Sequence, residues 1–213
     1  MSSNEYKTEQ EVFWSSQFGD EYISRNRGQQ KVASNLAFFS RIFGKANRIQ
    51  SCIEFGANIG LNLQALKLLF PEQEQYAVEI NSNAVNELRK FCPESNIFEG
   101  SILDFDISNL KSKVDLSLIK GVLIHINPDY LTEIYTRLYE VSKRYILICE
   151  YYNPTPISVK YRGHTDRLFK RDFAGELLDM YPSLELLDYG FFYHRDHNFP
   201  QDDITWFLMQ KVK

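Results

Sequence analysis

The sequence predicts an α/β protein with a mostly parallel sheet, preceded by N-terminal helices and completed by an antiparallel pair of strands. Between residues 46 and 150, short runs rich in β-branched and aromatic residues alternate with helical patterns. This order is typical of a parallel sheet with crossover helices. The last two strand-like runs, 184–193 and 204–212, have no helix between them. We therefore expect them to pair antiparallel at the edge of the sheet.

The length of 213 residues indicates a single domain. We divide it into a helical cap (1–45), an α/β core (46–150) and a C-terminal part (151–213). In the cap, Trp14, Phe18 and Tyr22 recur every four residues and predict one helix face, and Gly28 separates this helix from a second one. The elements expected after the cap are strands at 48–55, 75–80, 97–102, 114–119 and 145–150, and helices at 61–70, 81–91, 127–142 and 170–180.

Composition excludes several functional classes. Hydrophobic residues make up 44% of the chain and charged residues 24%, so a sizeable core is expected and global disorder is excluded. The net charge of −4 argues against general binding of nucleic acid or anionic membranes. No run approaches the roughly 20 apolar residues of a membrane span. The polar, acidic start lacks a signal-peptide pattern, and we expect a cytoplasmic protein.

No metal-binding pattern is present in the sequence. Cys52, Cys92 and Cys149 are widely spaced and lie in apolar surroundings, as expected of buried, reduced thiols. His194 and His197, with one Asp between them and no cysteine nearby, make a weak ligand set, and a turn between the last two strands is the favoured interpretation of that segment.

A glycine-rich loop follows the first strand and contains Glu54, Gly56, Asn58 and Gly60. The glycines allow the backbone to turn sharply and to approach a ligand. A dinucleotide loop requires glycine at position 58, so binding of a pyrophosphate is poorly supported. The spacing E-x-G-x-x-x-G resembles the S-adenosylmethionine loop of class I methyltransferases, whose sheet layout matches the one predicted here. An ordinary turn between a strand and a helix is the alternative.

Further candidate cofactor residues lie at the ends of the next two strands. Glu79 closes the second strand, 19 residues after Gly60. A carboxylate there can accept hydrogen bonds from both hydroxyls of a ribose, and a solvated strand-end carboxylate is the alternative. Ser101 and Ile102 follow the third strand, where class I methyltransferases hold the adenine. Ser101 stands where many relatives carry Asp.

Residues of the cap and of the fourth strand have two interpretations each. Trp14 and Phe18 are either core residues or part of the site. Tyr22 and Arg25, near the end of the first helix, are candidates to cap the cofactor and to bind its carboxylate. His125 lies at the carboxyl edge of the sheet, where open α/β folds bind ligands. It is either a catalytic base or a structural histidine.

The C-terminal part contains the candidate acceptor residues. Tyr151, Tyr152 and Asn153 begin a proline-containing loop, which we expect to leave the sheet as a rigid segment. Arg162 and Arg167 belong to a basic cluster in an otherwise acidic chain. Guanidinium groups bind carboxylates and phosphates through two hydrogen bonds at once. A solvated basic loop is the alternative.

Several phrases of the sequence are similar to those of the pseudaminic acid biosynthesis-associated methylases, and together they cover nearly the whole chain. They are Phe13-Trp14 with 18–22, 54–60, Lys120 to Pro128, 150–154, 161–164, 167–173 and 193–196. The resemblance implies a bacterial S-adenosylmethionine-dependent enzyme acting near the nonulosonic-acid pathways of flagellar or surface glycans. It also implies that the segment beginning at Lys120 lies beneath the sulfonium of the cofactor.

The sequence therefore predicts transfer of a methyl group from S-adenosylmethionine to an oxygen or nitrogen of a small anionic sugar. An acceptor hydroxyl needs a base to remove its proton, and the candidates are His125, Glu150 and His164, in that order. Tyr151, Tyr152 and Asn153 would orient the acceptor. The alternative is a non-catalytic, cofactor-binding partner of a sugar-biosynthetic enzyme. Association with a second copy of the chain is compatible with either prediction.

Overall fold

The computed structural model of the chain describes residues 6–212, so residues 1–5 of the expected cap lie outside the described part. The strands are β1 (Ser51–Phe55), β2 (Glu74–Glu79), β3 (Ile97–Glu99), β4 (Val114–Lys120), β5 (Ser142–Glu150), β6 (Ile157–Ser158), β7 (Phe169–Lys170), β8 (Leu184–Phe192) and β9 (Ile204–Lys211). The helices are α1 (Glu9–Ser15), α2 (Gln17–Arg25), α3 (Gln29–Ile42), α4 (Leu61–Leu69), α5 (Ser82–Leu88), α6 (Leu131–Val141) and α7 (Phe173–Met180).

Seven of the strands form one sheet in the order β3-β2-β1-β4-β5-β9-β8. The first five strands pair in parallel. Strand β9 is antiparallel to both β5 and β8. The predicted class is therefore confirmed: a mostly parallel sheet with a C-terminal antiparallel pair, preceded by N-terminal helices.

The sheet has a hydrophobic layer on each face. Tyr135 of α6 and Leu177 of α7 belong to the layer on one side, while Phe39 of α3 and Leu66 of α4 belong to the layer on the other. All four side chains are buried. Since helices cover both faces, the inner strands are mostly apolar, and ligands can approach most readily at the ends of the strands.

Three local structures differ from the predictions. The single helix expected before Gly28 is divided at Ser16 into α1 and α2, and α1 begins with a capping box between Thr8 and Glu11. The third strand is shorter than expected, since the Ser101 hydroxyl accepts a hydrogen bond from the Leu103 amide and starts a 3₁₀ turn.

The helix expected at 170–180 begins only at Phe173. The Asp172 side chain caps it by accepting a hydrogen bond from the Gly175 amide. The residues before it form β7, which pairs with β6 as a two-stranded hairpin that the sequence pattern did not predict. The helix expected from residue 81 begins directly after Asn81, whose side chain caps it by accepting from the amides of Asn83 and Ala84.

Two expectations from composition can be compared with the structure. Cys52, Cys92 and Cys149 are buried, free thiols. Over residues 6–212, no helix has both the length and the apolar character needed to cross a membrane.

Candidate active site

A cavity of about 250 Å³ lies at the carboxyl ends of the parallel strands, beneath α1 and α2. We refer to α1 and α2 together as the cover. Most residues predicted to bind a cofactor line this cavity, and His125 lines it as well. The predicted residues in its wall are Tyr22, Gly56, Asn58, Glu79, Ser101, Ile102, Lys120 and His125.

The glycine loop is held against the neighbouring strands by its backbone. The amides of Gly56 and Ala57 both donate to the Val78 carbonyl, at 2.9 and 3.0 Å. Gly56 has a φ of 72°, and a Cβ atom there would lie 2.5 Å from Cγ2 of Val122. The close approach predicted for Gly56 is thus an approach to Val122, in the segment after β4. Gly60 lies behind the cavity wall, where a Cβ would contact the Phe91 ring.

Glu79 is held in place by backbone amides on both sides. Its Oε2 accepts from the Asn58 amide at 2.7 Å and its Oε1 from the Asn81 amide at 2.8 Å. Burial raises the pKa of this carboxyl, while these hydrogen bonds act in the opposite direction. Each carboxylate oxygen has a second lone pair available for a ligand. The arrangement fits a pair of ribose hydroxyls.

Glu54 does not line the cavity. It is buried, and its Oε1 accepts from Nδ2 of Asn62 at 2.6 Å, which links β1 to α4. Its Oε2 has no hydrogen-bond partner among residues 6–212. Burial raises the pKa of Glu54 to about 8, with the Asn62 hydrogen bond opposing the shift. Glu54 is thus connected to the cavity only indirectly, through its hydrogen bond to Asn62, which lines the cavity.

The end of β3 supplies an apolar and a polar wall. Ile102 and Ser101 are both buried and line the cavity. Glu11 of the cover lines the same cavity, and its Oε2 accepts from the Thr8 amide at 2.7 Å. Glu11 was not among the predicted site residues, although the spacing T-x-x-E at 8–11 is the signature of a capping box and marks the start of this helix.

The aromatic residues of the cover contribute to the cavity unequally. Trp14 and Tyr22 line it, with their rings edge to face at 5.4 Å between centroids. Burial raises the pKa of Tyr22 to about 12. Phe18 stacks on Phe13 at 4.1 Å, outside the cavity lining. Arg25 also lies outside the lining, over the Phe18 ring.

His125 connects the segment after β4 to the cover. Its Nδ1 lies 2.6 Å from the backbone oxygen of Arg167 and must donate, since a carbonyl only accepts. The ring packs between Trp14 and Tyr161, with centroids at 4.6 and 5.3 Å. Burial lowers the pKa of His125 to about 4, with the hydrogen bond to Arg167 opposing the shift. His125 is therefore neutral at pH 7.

The other two candidate bases lie away from the cavity. Glu150 is buried behind the segment after β4 and accepts from the amides of Val122 and Leu123, both at 2.9 Å. Burial raises its pKa to about 7, against these hydrogen bonds. His164 is exposed, and its ring lies 5.5 Å from that of Phe13 on the outside of the cover.

None of the five predicted acceptor residues lines the cavity. Tyr152 is exposed, Tyr151 and Asn153 are half-buried, and Asn153 bonds within its own loop to Thr155. Arg162 is exposed and lies over the Phe18 ring at 5.8 Å.

The basic segment, residues 160–171, packs against the outside of the cover. Arg167 forms an ion pair with Glu9 at 2.9 Å and also contacts the neighbouring Asp166. Gln10 donates to the Asp166 carbonyl at 2.9 Å. The charges that the sequence analysis assigned to an acceptor are thus partly used to hold residues 160–171 on α1.

Another part of the cavity wall comes from residues that were not among the predicted site residues. They belong to α3 and to the loop between β8 and β9: Lys31, Ser34, Asn35, Pro200, Gln201 and Asp202. Asn35 and Gln201 are buried and share a hydrogen bond of 3.0 Å. The pair is separated by 166 residues in the chain, and no local motif marks either residue.

No group of three or more His, Cys, Asp or Glu side chains in the described part of the chain could hold a metal ion. His194 instead contacts Asp203, with Nδ1 and Oδ1 2.7 Å apart, in the loop between the last two strands.

No family model matches this chain, and no curated protein matches it. Many solved structures share its fold. Mitomycin 7-O-methyltransferase MmcR is 12% identical with a TM-score of 0.64, over 95% of this chain and 60% of that one, so this chain spans about three fifths of that protein. A SAM dependent methyltransferase from Archaeoglobus fulgidus is 14% identical with a TM-score of 0.66, over 91% and 100% of the two chains.

Magnesium protoporphyrin IX methyltransferase (ChlM) from Synechocystis PCC 6803, with bound SAM, is 14% identical with a TM-score of 0.63, over 99% and 100% of the two chains. The chain therefore has the fold of the class I S-adenosylmethionine-dependent methyltransferases.

Proposed function

We propose that this chain is an S-adenosylmethionine-dependent methyltransferase that acts on a small anionic sugar. The observation that carries the proposal is the placement of Glu79. Two backbone amides hold its carboxylate in the wall of the cavity, beside the glycine loop. The neighbours with this fold that were crystallised with SAM, SAH or sinefungin support the choice of cofactor.

The residues of the cavity divide between the parts of the cofactor. Glu79 would accept from the ribose hydroxyls, and Ile102 would contact the adenine face. The glycine loop at Gly56 would lie beside the amino-acid part, and Tyr22 would cover it. Bound S-adenosylmethionine supplies a methyl group on a positively charged sulfur. The protein then has to orient the acceptor and exclude water, and the aromatic cover supports that role.

The acceptor would enter at the side formed by α3 and the loop between β8 and β9. Asn35 and Gln201 offer polar groups to sugar hydroxyls, and Trp14 offers an apolar face. Lys31, which is exposed at this side, supplies a positive charge for a carboxylate or phosphate. The assignment to nonulosonic acids of bacterial surface or flagellar glycans rests on the sequence resemblance.

Calorimetry and a transfer assay test the proposal in sequence. We expect the protein to bind S-adenosylhomocysteine (SAH), the product form of the cofactor, in preference to NADH. We then expect it to transfer a labelled methyl group to a nonulosonic acid or to its nucleotide-activated form. Preference for NADH would overturn the cofactor class. Tight SAH binding with no transfer to any acceptor of the panel would favour a cofactor-binding partner protein.

Mass spectrometry of surface glycans tests the proposed substrate class in the cell. Deletion of the gene should remove an increment of one CH₂ group from a glycan component. An unchanged glycan spectrum would place the acceptor outside surface glycans.

A further inference from the structure

The carboxyl end of β4 places a lysine in the cavity. Lys120 is the last residue of that strand, is partly buried and lines the cavity wall. Its ammonium nitrogen lies 5.4 Å from the centre of the Phe38 ring. Among residues 6–212, it has no hydrogen-bond partner and no carboxylate within ion-pair distance. An amine in this position is available to a ligand.

Four other acidic or basic side chains of the cavity already have hydrogen-bond partners within the protein. Glu79 accepts from two backbone amides, and Glu11 accepts from Thr8. His125 donates its Nδ1 hydrogen to the Arg167 carbonyl, which leaves the Nε2 lone pair free, but burial lowers the pKa of His125 to about 4 and makes it a weak base. Lys31 donates to the Asn26 side chain at 2.9 Å. Asp202 lies on an exposed loop at the rim of the cavity.

We propose that Lys120 is the general base of the reaction, and hence that the acceptor atom is a hydroxyl oxygen. The inference rests on the proposed function and deepens it. It differs from the prediction that Lys120 binds the cofactor. It also replaces the three predicted bases, of which His125 alone lines the cavity.

The surroundings of Lys120 favour its neutral form. Burial lowers its pKa, and Lys31 acts in the same direction. Cys149, Glu54 and Asp202 oppose the shift. Burial raises the pKa of the Cys149 thiol well above its usual value and that of Glu54 to about 8, so both groups are largely uncharged at pH 7. The remaining opposing group, Asp202, lies on the exposed loop. Because little negative charge lies nearby to stabilise the ammonium form, the Lys120 amine is a suitable proton acceptor.

The proposed step is balanced in atoms and charge. The lone pair of the Lys120 amine takes the proton of the acceptor hydroxyl. The oxygen forms a bond to the methyl carbon while the carbon–sulfur bond breaks, and that electron pair stays on sulfur. The products are a methyl ether, a neutral thioether and the lysine ammonium, which then releases its proton to water.

Competitive labelling tests the protonation state without an acceptor. SAH-loaded protein and added Nα-acetyl-lysine amide react with trace acetic anhydride over a range of pH, and mass spectrometry follows the Lys120 peptide. Each profile is normalised to its own maximum. We expect Lys120 to reach half of its maximum at a lower pH than the added amine. A midpoint at the same or a higher pH overturns the proposal.

Substitutions of Lys120 distinguish two roles for this residue: a base that takes the acceptor's proton, and a cation that holds the carboxylate of the cofactor. Lys120→Met keeps the packing on Phe38, and Lys120→Arg keeps a permanent cation. Both should bind SAH within about threefold of wild type. In the transfer assay, both should lose about 10²–10⁴-fold in kcat, the usual worth of a positioned base. Lys90→Met, at an exposed surface position, is the matched control and should retain wild-type transfer.

The opposite pattern identifies an anchor. If Lys120→Met binds SAH at least tenfold more weakly while Lys120→Arg binds normally, Lys120 holds a carboxylate of the cofactor and the proposal is wrong. Wild-type protein that binds no SAH would refute the proposed function itself. The labelling profile of the unloaded protein would then still report on Lys120.

Discussion

The two sides of the cavity are held together by different kinds of contact. On the sheet side, backbone amides bond to a strand carbonyl and to Glu79. On the cover side, the contacts are between side chains or between a side chain and a backbone oxygen, such as Phe13 with Phe18 and Gln10 with Asp166. The sheet side therefore keeps its shape before any ligand binds. Several of the contacts that hold the cover are partly exposed, such as Glu9 with Arg167, and exposed contacts open most readily in folded proteins.

This difference indicates that the two sides of the cavity have different functions. Preorganised amides and carboxylates cost little rearrangement when a ligand binds, which suits recognition of a fixed cofactor. A cover held by side chains can admit an acceptor and then exclude water. Substitutions in the glycine loop and at Glu79 should therefore affect cofactor binding most, whereas those on the cover should affect stability and acceptor binding.

The largest effect is expected for Gly56→Val on the sheet side. The new Cβ would lie 2.5 Å from Cγ2 of Val122, and a β-branched residue is strained at the φ of 72°. SAH binding should become undetectable by calorimetry. Gly44→Val is the control, because no atom lies within 4 Å of a Cβ at that position. Retained binding by Gly56→Val would show that this loop does not shape the cofactor site.

Glu79→Ala should weaken SAH binding by about 1–3 kcal/mol, as expected when charge-assisted hydrogen bonds to two hydroxyls are lost. The melting temperature should also fall, since the amides of Asn58 and Asn81 lose their acceptor. Calorimetry and thermal unfolding measure the two effects. Glu74→Ala, at the other end of β2, is the control for binding. Wild-type affinity in Glu79→Ala would refute the ribose assignment.

His125 joins the two sides and should make the protein sensitive to acid. Its folded pKa of about 4 lies below the ordinary value of 6.5, so the unfolded chain takes up this proton first as the pH falls. Stability from this group is complete above pH 6.5 and is lost towards pH 4. At pH 5 the loss should be about 2 kcal/mol relative to pH 7.

Urea unfolding of wild type and of His125→Gln at the two pH values measures this contribution. The amide of Gln stays neutral and can still donate to the Arg167 carbonyl, so the variant should lose less stability at pH 5 than wild type does. His164→Gln, on the outside of the cover, should unfold like wild type. Equal pH dependence in wild type and His125→Gln would mean that the imidazole takes up its proton in the folded state.

The smallest effect is expected for Arg162→Ala on the outside of the cover. Arg162 is exposed and contacts aromatic rings without an ion pair in the described part of the chain. Any charge interaction with an acceptor should be worth less than about 1 kcal/mol and should weaken with salt. Steady-state kinetics at two ionic strengths should show a modest rise in the KM of the acceptor and unchanged SAH affinity. A large loss of SAH affinity would assign Arg162 to the cofactor side.

The sequence was most informative where structure depends on nearby residues. The glycine loop and Glu79 could be found because each lies at the end of a short apolar strand, and the sheet brings such ends together. The start of a helix near residue 81 was predictable because it depends on nearby residues: the Asn81 side chain bonds to amides two and three residues away.

Long-range pairing limited the rest of the interpretation. Arg167 belongs to a basic cluster in the sequence, but its ion-pair partner Glu9 is 158 residues away. Asn35 and Gln201 meet only because the loop between β8 and β9 reaches α3. Lys31 and Lys120 are far apart in the sequence and belong to no shared motif. Only the fold brings these two lysines into one cavity.

Asn58 has a consequence for how such loops are recognised in other sequences. Its φ is 50°, in the left-handed region that glycine usually occupies, and its Oδ1 accepts from the next amide at 2.6 Å. Asparagine is one of the few residues other than glycine that adopt this conformation at low cost. A pattern search that insists on glycine in the middle of the loop would miss this chain. A pattern written in backbone angles, with glycine or asparagine at that position, would include it.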